Sequence, residues 1–301
     1  MKRIENVLLL VLLAVGLASG TRSAYAQPPL GFTGINPRFL PPGSQQYRWD
    51  QGQPAVRMMA VNTGICGLTA IGGLFRGGGE HIRIENVNGF WQLSGASQQQ
   101  GVSAIARCVP LSLFQTKSGI NHSTNSVAVV LNSASEIQKQ ELLSDEASHS
   151  WCWVTGFGGK FGQFIGTVVV PHVSVDFIDH DGFGAVITAQ ASQVNTFIEG
   201  GGACASFPGV LQPHNVFGGQ GSWRPEDNKK QVRIKMVGLK QGICFFTSVG
   251  GDFDSQFDGM TIGLDRFGVQ YIFGNAHNWG LAPNFSKTPV ATVNCLAYDQ
   301  R

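Results

Sequence analysis

The chain has 301 residues, 40 of them Gly, with 43% hydrophobic and only 13% charged positions and a formal net charge of +2. The apolar fraction excludes global disorder, and the glycines follow no G-X-Y period, which excludes a collagen-like fibre. So small a charge also excludes a protein held to nucleic acid by bulk phosphate neutralisation.

The chain begins with an export pattern. Lys2 and Arg3 precede an apolar run from Val7 to Leu17, and Ala24-Tyr25-Ala26 supplies a small-x-small cleavage site before Gln27. A run of about 11 residues is too short for a membrane span, which needs about 20, so residues 1–26 are expected to be a cleaved signal peptide. Cleavage removes three basic residues (Lys2, Arg3, Arg22) and one acidic residue (Glu5), leaving 18 of each and a neutral mature chain. The expected location is secreted or periplasmic, with no membrane insertion after cleavage and no nucleic-acid partner. In that compartment six cysteines read as disulfides.

Residues 27–54 hold six prolines (Pro28, Pro29, Pro37, Pro41, Pro42, Pro54) and little alternation, and read as an extended arm. Beyond it the chain repeats itself. CGLTAIGGLF at Cys66, CWVTGFGGKF at Cys152 and CFFTSVGGDF at Cys244 share C-x-x-T-x-φ-G-G-x-F, where φ is apolar. Cys, Thr, both glycines and Phe are identical in all three copies. A gapless register extends the match to Ile82/Val168/Met260 and Ile84/Val170/Ile262. Upstream, VRMMAVNTGIC at Val56 resembles VRIKMVGLKQGIC at Val232, and IQKQELL from Ile137 is a more polar counterpart. Each copy ends in a second cysteine, Cys108, Cys204 or Cys295.

The repeat sets both fold and pairing. Units of about 90 residues suit small β-domains better than propeller blades or solenoid repeats. Segments such as VRIKMVGL alternate as half-buried strands do, and helical periodicity is nearly absent. Ser135 to Glu146 could form a short helix, but its place in the repeat favours an edge strand. The expected fold is all-β: three tandem homologous β-sandwich-like modules, over 55–115, 120–208 and 218–301, with linkers near 112–125 and 208–222. Equivalent modules should close equivalently, by Cys66–Cys108, Cys152–Cys204 and Cys244–Cys295, and the paired glycines should mark a turn or bulge needing positive φ.

The first copy has a further likeness. C-G-L-T-A-I-G-G-L-F-R-G-G-G-E-H-I-R-I followed by G-F-W-Q-L-S-G-A-S-Q-Q-Q-G-V-S-A-I-A-R-C, over residues 55–111, resembles a glycine-rich, cysteine-bracketed recognition module. Such modules end phage tail-fibre-like proteins and bacterial surface adhesins. The second and third copies keep only the C-x-x-T-x-φ-G-G-x-F core, losing Gly77-Gly78-Gly79-Glu80 and Gln98-Gln99-Gln100. The resemblance implies a β-rich recognition tip assembled as a trimer. One chain would then be a pseudo-trimer with pseudo-threefold arrangement, or a subunit of a homo-oligomer. It implies no catalytic residues.

No HExxH, GxSxG or SxxK motif occurs, and the seven histidines fall at non-equivalent places in the repeat. Asp252, Asp254 and Asp258-Gly259 form a D-x-D-x-x-x-D-G cluster able to offer oxygens to calcium, and Asp176, Asp179, His180 and Asp181 form a second. Both read equally well as solvated turns, so no cofactor is expected apart from that calcium possibility. Aromatics beside amides are the better lead, since a ring stacks on a sugar while amides read its hydroxyls. Trp91 with Gln92 and Gln98, and Asn275 and Asn278 with Trp279, are the expected contacts. Trp151 and Trp153 are expected to pack on the disulfide between them. The reading is a non-enzymatic secreted binding or adhesion protein for a glycan or cell-surface ligand. The alternatives are a secreted hydrolase with a site between modules and a structural subunit of an envelope or phage-like appendage.

Overall fold

Short alternating segments punctuated by glycine fold into strands throughout, and among the described residues there is no α-helix. The structure, a computed structural model, describes residues 36–99, 101–114, 127–144, 150–161, 170–179, 183–206, 217–223, 232–275 and 289–298. Six strands lie between residues 45 and 110: β1 (Gln45–Asp50), β2 (Val56–Ala60), β3 (Gly64–Gly72), β4 (Arg76–Val87), β5 (Phe90–Ala96) and β6 (Ser103–Pro110). Six more are β7 (Val127–Leu131), β8 (Gln138–Ser144), β9 (Ser150–Lys160), β10 (His172–Asp179), β11 (Phe183–Gln190) and β12 (Ile198–Ser206). The last six are β13 (Phe217–Trp223), β14 (Val232–Gly238), β15 (Gly242–Gly251), β16 (Gly259–Leu264), β17 (Val269–Asn275) and β18 (Pro289–Ala297).

These strands make three antiparallel six-stranded sheets. The first runs β1-β6-β3-β16-β17-β14, the second β7-β12-β9-β4-β5-β2 and the third β13-β18-β15-β10-β11-β8. Adding six to each strand number of one sheet, wrapping from eighteen to one, generates the next. Sandwich-like modules that each close on themselves are therefore not what forms. Each sheet is completed by strands from two different spans, because β3, β9 and β15 each carry a free edge that only another span satisfies. Their partners there are β16, β4 and β10 respectively. An unsatisfied inner edge would leave backbone donors and acceptors unpaired.

The shared motif builds the junctions. Cys66 lies opposite Cys108, Cys152 opposite Cys204 and Cys244 opposite Cys295 in the registers of β3–β6, β9–β12 and β15–β18, and each pair is bonded. Two pairs further on, the register breaks at Thr69, Thr155 and Thr247, each the extra residue of a β-bulge. The second glycine of each pair then adopts positive φ, 110° at Gly73, 109° at Gly159 and 89° at Gly251. No side chain fits at Gly73, where a Cβ would fall 2.5 Å from backbone atoms of Gly101 and Val102. The chain so turned delivers Phe75, Phe161 and Phe253 to a common centre. The Phe75 amide donates to the Phe253 carbonyl and the Phe161 amide to the Phe75 carbonyl, both at 2.8 Å, and the Phe253 amide closes the cycle on the Phe161 carbonyl. Their rings meet edge to face, with centroids 5.7–6.4 Å apart.

The cysteine ends of the central strands fill the middle unequally. Trp153 and Phe245 pack 5.6 Å apart, Trp151 stacks on Phe245 at 5.1 Å, and the Trp153 indole donates to the Cys66 carbonyl. Gly67, at the corresponding place on β3, lies under the Phe245 ring, where a Cβ would fall 2.3 Å from it. The cross-strand pairs compensate: Gly67 faces Arg107, Trp153 faces Ala203 and Phe245 faces Asn294.

Three expectations are corrected. The span read as an arm contains β1, with Trp49 buried and its indole donating to the Gln53 carbonyl, because a single alternating hexapeptide suffices for an edge strand. The span read as a linker near 208–222 contains most of β13. In the second copy the gapless register fails: Val173, not Val168, takes the place of Ile82 and Met260, each opposite an apolar residue of a central strand. Five extra residues precede β10. Ser135 to Glu146 does supply an edge strand, β8.

The three disulfides place the chain in an oxidising environment, extracellular or periplasmic. No helix of the described residues is long and apolar enough to cross a membrane.

Candidate functional site

Beside the phenylalanine cycle, Ser255–Asp258 forms a turn between β15 and β16. The Asp258 carboxylate accepts from the Ser255 amide at 2.9 Å, and the Asp258 amide donates back to the Ser255 carbonyl at 3.1 Å. The Asp258 carbonyl accepts from the Gly73 amide, and the Asn275 side-chain amide donates to the Phe257 carbonyl at 2.8 Å. This clamped turn holds Phe257 outward, 48% exposed. The loop between β5 and β6 lies alongside, with Gly101 against Gln256 and an exposed Gln98. A fixed phenyl ring thus sits beside Gln256 and Asn275, an apolar face next to amides that both donate and accept.

The structure brings together part of the expected set. Gln98 and Asn275 reach this same end of the molecule. Trp91 is corrected: it is 2% exposed, faces inward with Leu93 and donates its indole N–H to the Gly64 carbonyl at 2.9 Å, so it is core. Gln92, the alternate residue, is half-buried on the outer face between Arg57 and Glu85. Asn278 and Trp279 lie outside the described residues, as do His180 and Asp181. Sequence reasoning missed Phe257, although a phenylalanine inside the polar run Asp254-Ser255-Gln256-Phe257-Asp258-Gly259 has no strand to bury it. Trp151 and Trp153 are buried, packed on one another and on Phe245.

The same turn takes up one member of the acidic cluster. Asp252 and Asp258 are buried, Asp254 is half-buried, and Asp258 serves as the turn's cap. Among the described residues no group of three or more His, Cys, Asp or Glu side chains has the geometry to hold a metal ion. His81 and His172 do take corresponding places, opposite Gly158 and Gly250, each with Nδ1 on the carbonyl two residues earlier.

Among the described residues the one strongly perturbed cation is internal. Burial pushes the Arg107 guanidinium down to about 9, opposed by the Tyr298 and Tyr271 phenols. It donates to the Ile262 carbonyl and, at 3.4 Å, to the Gln46 side-chain carbonyl. Burial drives Tyr298 well above its ordinary 10, and raises Tyr271 with help from Asp265. Arg107 and Tyr298 are closed in the core, whereas Tyr271 is half-buried.

Comparisons with protein-family models, with curated proteins and with solved structures found no match, so the functional reading rests on the chain's own residues.

Proposed function

We propose that the protein is a secreted, non-enzymatic binding or adhesion protein that recognises a glycan or cell-surface ligand with aromatic and amide side chains on loops. The observation that carries this reading is the outward Phe257 on its clamped turn, with Gln256 and Asn275 beside it and Gln98 exposed on the neighbouring loop. Sugars present an apolar C–H face and a rim of hydroxyls, which match a rigid ring flanked by amides. A turn already fixed by four hydrogen bonds loses little entropy on binding. Asn278 and Trp279 belong to the same proposed contact set.

The scaffold is proposed to be three homologous modules around a pseudo-threefold axis, a covalent pseudo-trimer of the kind the tail-fibre-like resemblance implies. Its support is the threefold recurrence of strand order, bulge, disulfide and phenylalanine contact. Differences at the surface make the three ends unequal, so one principal contact site is expected.

A glycan array tests the function. Wild-type protein should bind a defined glycan class, and Phe257→Ala should weaken it about tenfold, as expected for loss of one stacking contact and its buried area. No glycan signal with a folded protein, or full binding by Phe257→Ala and Trp279→Ala alike, would overturn the reading. Self-assembly without ligand binding would favour a structural subunit.

A further inference from the structure

A second feature lies on the outer face of the sheet that joins β7, β12, β9, β4, β5 and β2. Its outward rows follow from the register. Ala128, Gly201, Gly156, Arg83 and Ser94 form one row, and Val130, Glu199, Gly158, His81 and Ala96 the next. Ala128 and Val130 are exposed, which fixes this face as the solvent side. At the centre of the first row the sheet carries glycine on two neighbouring strands, Gly156 and Gly201, so the surface there sinks to bare backbone. Pairing between β4 and β9 ends at Arg83–Gly156, next to the bulge at Thr155, and the strands part there. The result is a recess of about 30 Å³, walled by Arg83, Glu85, Thr155 and Glu199.

The corresponding places in the other two sheets are filled. Where this sheet has Arg83, Gly156 and Gly201, the first sheet has Thr261, Ala70 and Ile105, and the third has Ser174, Ser248 and Thr292. Ala70 and Ile105 pack on one another and are buried. Glycine in a strand interior lowers stability and marks a place where something else must come close to the backbone. Only this sheet accepts that cost at the junction.

The polar groups at the recess are held in place. Arg83 spans the glycine strand β9 to reach Glu199, donating from Nε and Nη2 to one carboxylate oxygen, and its Nη1 lies 3.5 Å from Glu85. Glu199 is 5% exposed although it points to the solvent side. The Thr155 hydroxyl oxygen sits 3.1 Å from where a Gly201 Cβ would be, at the floor. One guanidinium between two carboxylates leaves a unit of negative charge and a mixture of donors and acceptors. An anionic ligand would be repelled. A hydroxyl, which donates one hydrogen bond and accepts two, matches the whole set.

We propose that this recess is a second binding site, taking a hydroxylated ligand, a sugar edge whose hydroxymethyl or hydroxyl group enters while the ring lies over the glycine floor. The ligand class rests on the glycan reading above, whereas the location rests on the recess alone. Glu199 and Glu85 accept from ligand hydroxyls, and Arg83 and Thr155 donate to them.

The test is an NMR titration of the full secreted chain with methyl α-mannoside and methyl β-glucoside, following the Gly156, Gly200 and Gly201 amides. One of the two glycosides should shift these amides saturably. Glu199→Gln and Ala128→Trp should each weaken that response about tenfold, the size expected for one charge-assisted hydrogen bond or a blocked mouth. Ala128 is exposed, so its replacement leaves the ion pair and the core intact, and retained thermal midpoints confirm that both variants are folded. Phe257→Ala should leave the response unchanged. No shift of these amides up to the glycosides' solubility limit overturns the proposal, as does an unaltered response in Ala128→Trp. A response to methylammonium and not to the glycosides also overturns it, showing a cation site. If the glycan array succeeds while the recess is silent, the general function stands and this site falls. A responsive recess with a blank array gives the reverse.

Discussion

Single residues here are legible to very different degrees. The motif glycines and cysteines were readable because one chemical demand is imposed three times: positive φ at Gly73, Gly159 and Gly251, and cross-strand bonding at the cysteines. Trp91 was misread as exposed although its parity with Leu93, against Gln92, already placed it inside. Tyr298 could not be read at all, since its surroundings come from distant strands. Its hydroxyl is buried with no hydrogen-bond partner among the described residues, its ring packs on Phe114 at 5.4 Å, and burial raises its pKa above the ordinary 10. A phenol whose folded pKa is raised contributes stability that is complete below pH 10 and is lost as pH rises beyond it, by up to about 1.4 kcal/mol per pH unit. Arg107 acts with the opposite sign: its charge is disfavoured in the fold below about 9, and that cost is relieved as pH climbs above it. Tyr298→Phe should therefore change stability by less than about 1 kcal/mol at pH 8, since no hydrogen bond is lost. It should also remove the part of the alkaline loss that Tyr298 contributes, leaving that of the half-buried Tyr271. Urea midpoints measured from pH 8 to 11 check this; parallel curves for the two proteins would show that Tyr298 does not titrate differently in the fold.

At the level of elements, the bulge at each motif threonine is the recurring device. It bends a central strand three residues after its cysteine, so that the part beyond pairs with a strand of another span while the cysteine end packs towards its counterparts. The sequence revealed that Thr69, Thr155 and Thr247 matter but not that they are bulges, because a bulge is visible only against the partner strand. The slip in the second copy has a similar cause: an insertion before β10 leaves the spacing of strands intact while breaking the spacing of residues. The disulfides sit within sheets, between directly opposed residues, and close loops of 42, 52 and 51 residues. Their effect is therefore chiefly on the unfolded chain. Replacing Cys244 and Cys295 together by alanine should cost about 2–5 kcal/mol while leaving the far-ultraviolet circular dichroism of the folded state unchanged. Loss of β signal under native conditions would instead mean that this bond holds β15 and β18 together.

For the whole molecule, the decisive fact is that no run of six consecutive strands owns a complete sheet. Residues 45–110 supply halves to two sheets, and the missing halves come from the other two spans. The phenylalanine cycle makes the same point in three bonds, since the amide of each ring residue is satisfied only by another span's carbonyl. The sequence repeat suggested units that fold alone, because a period of about 90 residues is the size of a small domain. Size was the wrong guide, for a repeat records which segments correspond and not which of them pair. A fragment of residues 43–114, kept oxidised, retains Cys66–Cys108 and all of β1–β6, yet leaves β3 without β16 and β4 without β9. It also exposes Phe75, which is fully buried in the intact chain. Two open edges and an uncovered apolar centre are a template for association. The fragment should show no cooperative thermal transition as a monomer, and any ordered β form should sediment as an assembly in which copies supply one another's missing halves. Circular dichroism melts combined with analytical ultracentrifugation decide the matter: a monomeric fragment with a cooperative transition would show that the half-sheets are self-sufficient, and that exchange of strands between spans is incidental to stability.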